Sequence, residues 1–222
     1  MLSRVLEPEV MDTTEDAVDY DAMDHTHVNR VFVDDLLRVL PTTKSRLRIF
    51  DAGTGTAQIP IELLRRNIAA EIVAADAASE MLRLARNNIA AAGFASSITC
   101  ALRDCKQLPE PDASFDVVMS NSIIHHIPEP AAVFAECWRI LKPGGLLFIR
   151  DLHRPASEQE LRSLVEQYAG DANAHQRQLF SDSLRAALTV DEVRQFVEQL
   201  GISAASIAMT SDRHWTLSTI KC

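Results

Sequence analysis

The chain has 222 residues, a formal net charge of −9, 47% hydrophobic and 24% charged residues. That size carries one α/β domain with a sizeable core, and the acidic balance with scattered basic residues argues against a phosphate-gripping nucleic-acid binder. No run of about 18 apolar residues marks a membrane span, and the start lacks the basic-then-apolar order of a secretory leader, so a cytoplasmic protein is expected.

Residues 1 to about 23 are polar, acidic and without a clear period, which reads as a loose arm. "DHTHVNRVFVDDLLRVLP" then carries Val28, Val31, Phe32, Leu36, Val39 and Leu40 on a helical period, with Asp24 as the expected cap and Pro41 as the end. "LRIFDAG" predicts a first strand. "AQIPIELLRRN" predicts a helix that tolerates Pro60 only in its first turn. "AEIVAADA" is a second strand, followed by a helix over "SEMLRLARNNIAAAG" with Ser79 as cap and Gly93 as stop. "SSITCALRD" and "SFDVVMSNS" are strands three and four. "EPAAVFAECWRILKPGG" is a helix ended by Pro143-Gly144-Gly145, and "LLFIRDL" is strand five. Helices are expected over about 157–168 and 182–200, and the β-like runs "SAASIAMT" and "HWTLSTI" close the chain, as a hairpin or as separate additions to a sheet edge.

Strands alternate with helices from about residue 47 to 151. That order predicts a parallel sheet with helices on both faces. The expected organisation is one domain: an arm and lid helix (1–45), a ligand-binding core (46–151), and helices with terminal strands (152–222). The four cysteines form no Cys-x-x-Cys pair. Cys100 and Cys137 read as small buried hydrophobes, and no metal-ligating cluster stands out.

Ligands of an open parallel sheet sit at the carboxyl ends of its strands. In this chain those ends carry Asp51-Ala52-Gly53-Thr54-Gly55, Asp76-Ala77, Asp104-Cys105, Asn121-Ser122 and Arg150-Asp151. Gly53 and Gly55 permit a sharp bend and close ligand approach. Asp76, at the end of strand two, can accept from two ribose hydroxyls. Asp104 can accept from an exocyclic amine, with the Cys105 backbone beside it. The set has the chemistry of an adenosine site. A dinucleotide fingerprint wants a small residue at the sixth position, where Gln58 stands; a nicotinamide-dependent oxidoreductase is therefore the weaker alternative.

"DAGTG" resembles motif one of the class I S-adenosylmethionine-dependent methyltransferases. "IVAADAASEMLRLARNN", with Met81 five positions after its acid, resembles the second motif. "LRDCKQLPEPDASFDVVMSNSIIHHIPEP" and "WRILKPGGLLFIRDL" are similar to the later ones. The resemblance covers about residues 20 to 215 and lies closest to the small-molecule methyltransferases of ubiquinone and menaquinone biosynthesis. It implies a doubly wound, mostly parallel seven-stranded Rossmann-like sheet with an antiparallel edge, S-adenosylmethionine as cofactor, and a small-molecule acceptor. It also implies that Asp51, Gly53, Thr54, Gly55, Asp76, Ala77, Met81, Asp104, Cys105, Asn121 and Ser122 line the cofactor. Ala57 stands where the family has its third glycine and is expected to crowd the methionine end slightly. "NSIIHH" replaces the Asn/Asp-Pro-Pro-aromatic signature of exocyclic-amine methyltransferases.

Methyl transfer is an in-line displacement, so alignment does much of the work and a base is needed only where the acceptor must lose a proton. His125, just after strand four, is the first candidate for substrate contact or base, ahead of its neighbour His126. Arg150, with His153 and Arg154, is a candidate anion-binding cluster. Tyr20 and His25 are candidates for a lid over the cofactor. Residues 170–188 are expected to form a second wall. A domain of this kind that holds the cofactor or its product without catalysis remains the alternative. The acceptor atom and the oligomeric state are not legible in the sequence.

Overall fold

The computed structural model describes residues 2–10, 12–23, 25–41 and 46–222. Five strands run parallel: β1 (Leu47–Ala52), β2 (Ala70–Asp76), β3 (Ile98–Leu102), β4 (Phe115–Asn121) and β5 (Leu141–Leu152). Two more, β6 (Ile207–Met209) and β7 (His214–Ile220), complete a seven-stranded sheet in the order β3-β2-β1-β4-β5-β7-β6. β7 lies antiparallel to both of its neighbours, so the terminal hairpin is inserted through β7 onto β5. The strand order reverses between β1 and β4, which places a ligand crevice at their carboxyl ends.

Period-2 alternation sends the strands' side chains to two separate cores. Ile49, Ile72, Val117, Met119 and Phe148 face one layer, built from α2 (Thr26–Val39), α3 (Gln58–Arg65) and α4 (Ser79–Ala91). Phe50, Val118, Leu147, Ile149, Trp215 and Leu217 face the other, with α5 (Pro130–Ile140) and α8 (Val190–Glu198). Each fully buried side chain of this size contributes about 1.5–3 kcal/mol. No helix among the described residues is long and apolar enough to cross a membrane.

Several sequence expectations are corrected. The arm contains a helix, α1 (Thr14–Ala22); its Ala17 is buried against Ala78 and Met81, and a contact made across the fold leaves little periodic signature in nine residues. The proposed cap Asp24 lies outside the described residues. Ser79 is inside α4; Ala78 is the flanking residue and lacks a side-chain cap. The expected helix over 182–200 is two helices, α7 (Ala174–Ala186) and α8, following α6 (Glu158–Ala169). Asn173 with Gln176 and Thr189 with Glu192 form reciprocal capping boxes, a signal present in the sequence as Asn-x-x-Gln and Thr-x-x-Glu. Strand β5 begins five residues earlier than expected, because Lys142-Pro143-Gly144-Gly145 forms an irregularity within the strand instead of a turn before it. The Lys221 ammonium donates to the Trp138 and Leu141 carbonyls at the end of α5, where a cation complements the helix dipole.

Candidate functional site

The β1–α3 turn bends through three left-handed residues: Gly53 (φ 73°), Gly55 (φ 54°) and Ala57 (φ 64°). A Cβ on Gly53 would stand 2.1 Å from Ile123 Cγ2. Ala57 is fully buried among the α2–α4 core side chains, so its methyl does not crowd the cleft. Its cost is backbone strain of about 1–2 kcal/mol, the reason glycine suits that position. The Gly53 and Thr54 N–H groups both donate to the Ala75 carbonyl at 2.8 Å. The Asp76 carboxylate accepts from Gly55 N–H at 2.8 Å and from Ala78 N–H at 2.9 Å. Strand two thus holds the turn that follows strand one.

An open cleft lies at these strand ends. Among the residues lining it are Tyr20, Gly53, Gly55, Asp76, Ala77, Met81, Asp104, Cys105, Asn121 and Ser122. Asp51 and Thr54 are buried at the turn. Burial raises Asp51 to about 7, with Thr54 opposing and the Asp76 carboxylate adding to the rise. Asp76 is likewise raised, by burial first, against the pull of its backbone donors. Two carboxylates therefore share the turn. Asp104 sits in the turn beyond β3 with its side chain half exposed and 3.1 Å from Lys106; what burial it has raises it, but the Lys106 N–H and ammonium outweigh that and hold it low.

Tyr20 packs 3.5 Å from where a Gly55 Cβ would be and 4.9 Å, ring to ring, from His25. Burial, then Asp76 and Asp51, raise its phenol to about 12. It also walls a second cavity, which His25 lines with Asn29, Thr56 and Glu62. Tyr20 therefore separates the two spaces.

Other expected positions lie differently. Arg150 does not join His153 and Arg154 at the cleft. Its Nε donates to Thr216 Oγ1 at 2.9 Å and its guanidinium to Asp35 at 2.6 Å, and it lies 5.7 Å from the centres of the Phe32 and Phe148 rings. Alternation along β5 turned it to the α2 face. Arg154 is buried on the Ala187 carbonyl and Glu192. His125 is 3% exposed. Its Nδ1 lies 2.5 Å from Asp151 Oδ1, whose other oxygen accepts from the Ile124 and His125 backbone N–H groups. Burial lowers the His125 pKa, but Asp151 and Glu7 reverse the sign and raise it. Its neighbour His126 forms the cleft wall instead; burial and then His125 push that ring down to about 3.

The arm supplies what sequence reasoning missed. Glu9 and Val10 line the cleft. Arg4 donates to the Ala186, His125 and Ile127 carbonyls at 2.7, 3.1 and 2.9 Å, fastening the arm between α7 and the turn after β4. Glu7 then meets the two histidines, with Ser183 of α7 donating to its Oε2 at 3.3 Å. No local pattern signals a contact between residues 7 and 126. The expectation that no metal-ligating cluster exists was formed without this juxtaposition, since Glu7, His125 and His126 bring one ligand atom each within 4.8 Å of one another.

Residues 50–149 match the family model described as "Methyltransferase domain". A demethylmenaquinone methyltransferase of Deinococcus radiodurans is 39% identical over 110 residues, half of this chain and 45% of that protein. A ubiquinone biosynthesis O-methyltransferase of Xanthomonas oryzae is 32% identical over 124 residues, 54% of this chain and 49% of that one. The chain thus spans about half the length of these curated relatives. The crystal structure of a SAM-dependent methyltransferase from Aquifex aeolicus superposes with a TM-score of 0.69 over 93% of this chain and 97% of its own, at 16% identity, a likeness of fold. Over residues 50–149 the chain is thus similar to methyltransferases, and its seven-stranded order is a likeness of fold to one that is SAM-dependent.

Proposed function

We propose that this chain binds S-adenosylmethionine in the cleft at the ends of β1, β2 and β4 and transfers its methyl group to a small-molecule acceptor. One observation carries the reading: the buried Asp51 and the half-buried Asp76 carboxylates share a glycine turn, and burial raises both. Buried carboxylates are stabilised by an opposite charge, and this cofactor brings two, an ammonium and a sulfonium. Asp51 would hold the ammonium. The two Asp76 oxygens, each with one lone pair still available, would accept from the ribose hydroxyls. Met81, Cys105 and Asp104 would enclose the base, with Ala77, Asn121 and Ser122 on the flanks. Gly53 and Gly55 leave the backbone open to the ligand, while Thr54 steadies Asp51 beneath it. Bound, the cofactor supplies the electrophilic methyl; the protein's share is alignment and exclusion of water.

The chain reads as one unit in this proposal: arm and lid helix over 1–45, cofactor core over 46–151, outer wall and terminal strands over 152–222. Tyr20 closes the cofactor's side of the cleft with His25 packed behind it, and His126, not His125 or Arg150, faces the acceptor. The relatives' names point to quinone-precursor acceptors, methylated at carbon or at oxygen, as the first compounds to screen. Four unpaired cysteines suit a reducing compartment, which supports the cytoplasm as its location. Calorimetric titration with S-adenosylmethionine and S-adenosylhomocysteine, with NADH as control, tests the reading: micromolar binding of both adenosyl ligands is expected. Binding of NADH alone, or of none of the three, would overturn it.

A further inference from the structure

Three polar atoms from distant parts of the chain converge beside the cleft. Glu7 Oε1 lies 3.5 Å from His125 Nε2 and 3.2 Å from His126 Nδ1. Glu7 Oε1 and His126 Nδ1 are fully buried and make no hydrogen bond. Leaving such buried atoms unpaired is destabilising, so their convergence calls for a partner.

The spacing identifies one. Ligands bound at about 2.0–2.1 Å in a tetrahedral shell stand roughly 3.4 Å apart, and the two measured edges bracket that value. We propose that Glu7, His125 and His126 form a binding site for a divalent transition-metal ion of the zinc type, with two imidazole nitrogens and one carboxylate oxygen as ligands.

The surroundings are built for this set. Asp151 takes the Nδ1 side of His125 at 2.5 Å, which fixes the ring and aims Nε2 at Glu7, as carboxylates behind metal-bound histidines do. Ser183 occupies the other Glu7 oxygen and leaves Oε1 for the ion. Arg4 fastens the arm that carries Glu7. Three protein ligands leave a coordination position for water or a substrate oxygen. Since His126 also lines the cleft, an ion here would stand one side chain away from the acceptor, where it would polarise an oxygen nucleophile. The site does not depend on the methyltransferase reading.

The test uses the full chain carrying Cys222→Ser, which removes an exposed thiol, stripped with chelator and titrated with Co²⁺ alone. One equivalent is expected to bind, with the visible bands of a low-symmetry four-coordinate cobalt site, and Zn²⁺ should displace it. Glu7→Gln and His126→Gln should each abolish the stoichiometric step, and Asp151→Asn should weaken it by about 10–100-fold. Absence of stoichiometric binding in the parent chain, which raises no question of folding, would overturn the proposal. So would full retention of binding in both ligand variants.

Discussion

The Asp76 carboxylate, at the end of strand two, accepts a 2.8 Å hydrogen bond from the Gly55 backbone N–H in the turn after strand one. This single contact couples the shape of the turn to the position of the acid that faces the cleft. Asp76→Ala should therefore weaken S-adenosylhomocysteine binding by about 1–3 kcal/mol and also lower the melting temperature, because the Gly55 and Ala78 N–H groups lose their acceptor. Calorimetry and a thermal melt check the two effects; unchanged affinity would remove Asp76 from the ribose.

Asp51 makes the site pH-dependent. Its carboxyl is raised to about 7 in the fold, against about 3.9 in an unfolded chain. Between those values the folded state holds a proton that the unfolded state has lost. The unliganded protein therefore loses stability as pH rises through that window, by about 2–4 kcal/mol once pH exceeds 7. Asp51→Asn should stabilise the unliganded protein at pH 8, with the gap closing toward pH 4. Cation binding favours the ionised acid, so S-adenosylmethionine should bind more tightly as pH rises through about 7, and the variant should flatten that profile. Urea unfolding at several pH values and calorimetry over the same range measure both.

Arg150 serves the fold. Its guanidinium is held by Asp35 and Thr216 beside Phe32 and Phe148. Arg150→Met should destabilise the protein by about 2–4 kcal/mol, since the half-buried Asp35 loses a partner, while affinity for S-adenosylhomocysteine stays within about twofold. A denaturant midpoint unchanged from the parent, or a large loss of affinity, would return Arg150 to the cleft.

Gly53 is fixed by space as well as by φ. Gly53→Ala should cost at least about 1–3 kcal/mol through the collision with Ile123 and impair ligand binding. Adding Ile123→Ala should recover the steric part and leave the strain of a left-handed alanine. A double-mutant cycle on stability separates the two; full additivity would show that the side chains do not meet.

The sheet and much of the cleft were legible because they rest on short-range pattern. Apolar runs alternating with helical periods specify β1 to β5 and their parallel order, and acids or small residues placed just after those runs arrive at one edge of the sheet. Asp76, Met81 and Asn121 were readable for that reason. The division of 173–198 into two helices was also written locally, in two capping boxes, but the continuous helical composition masks it.

What only the tertiary structure decided depends on contacts between residues far apart in sequence. Pleat parity along β5, fixed by register with β4 and β7, turned Arg150 away from the cleft and gave it Asp35 as partner. Packing of Ala17 on α4 made a helix of a segment whose own period is weak. Arg4, bonding to carbonyls more than a hundred residues away, carried Glu7 to His125 and His126. A sequence specifies such a meeting only through the whole fold, because the free energy that holds it comes from both ends of the chain at once.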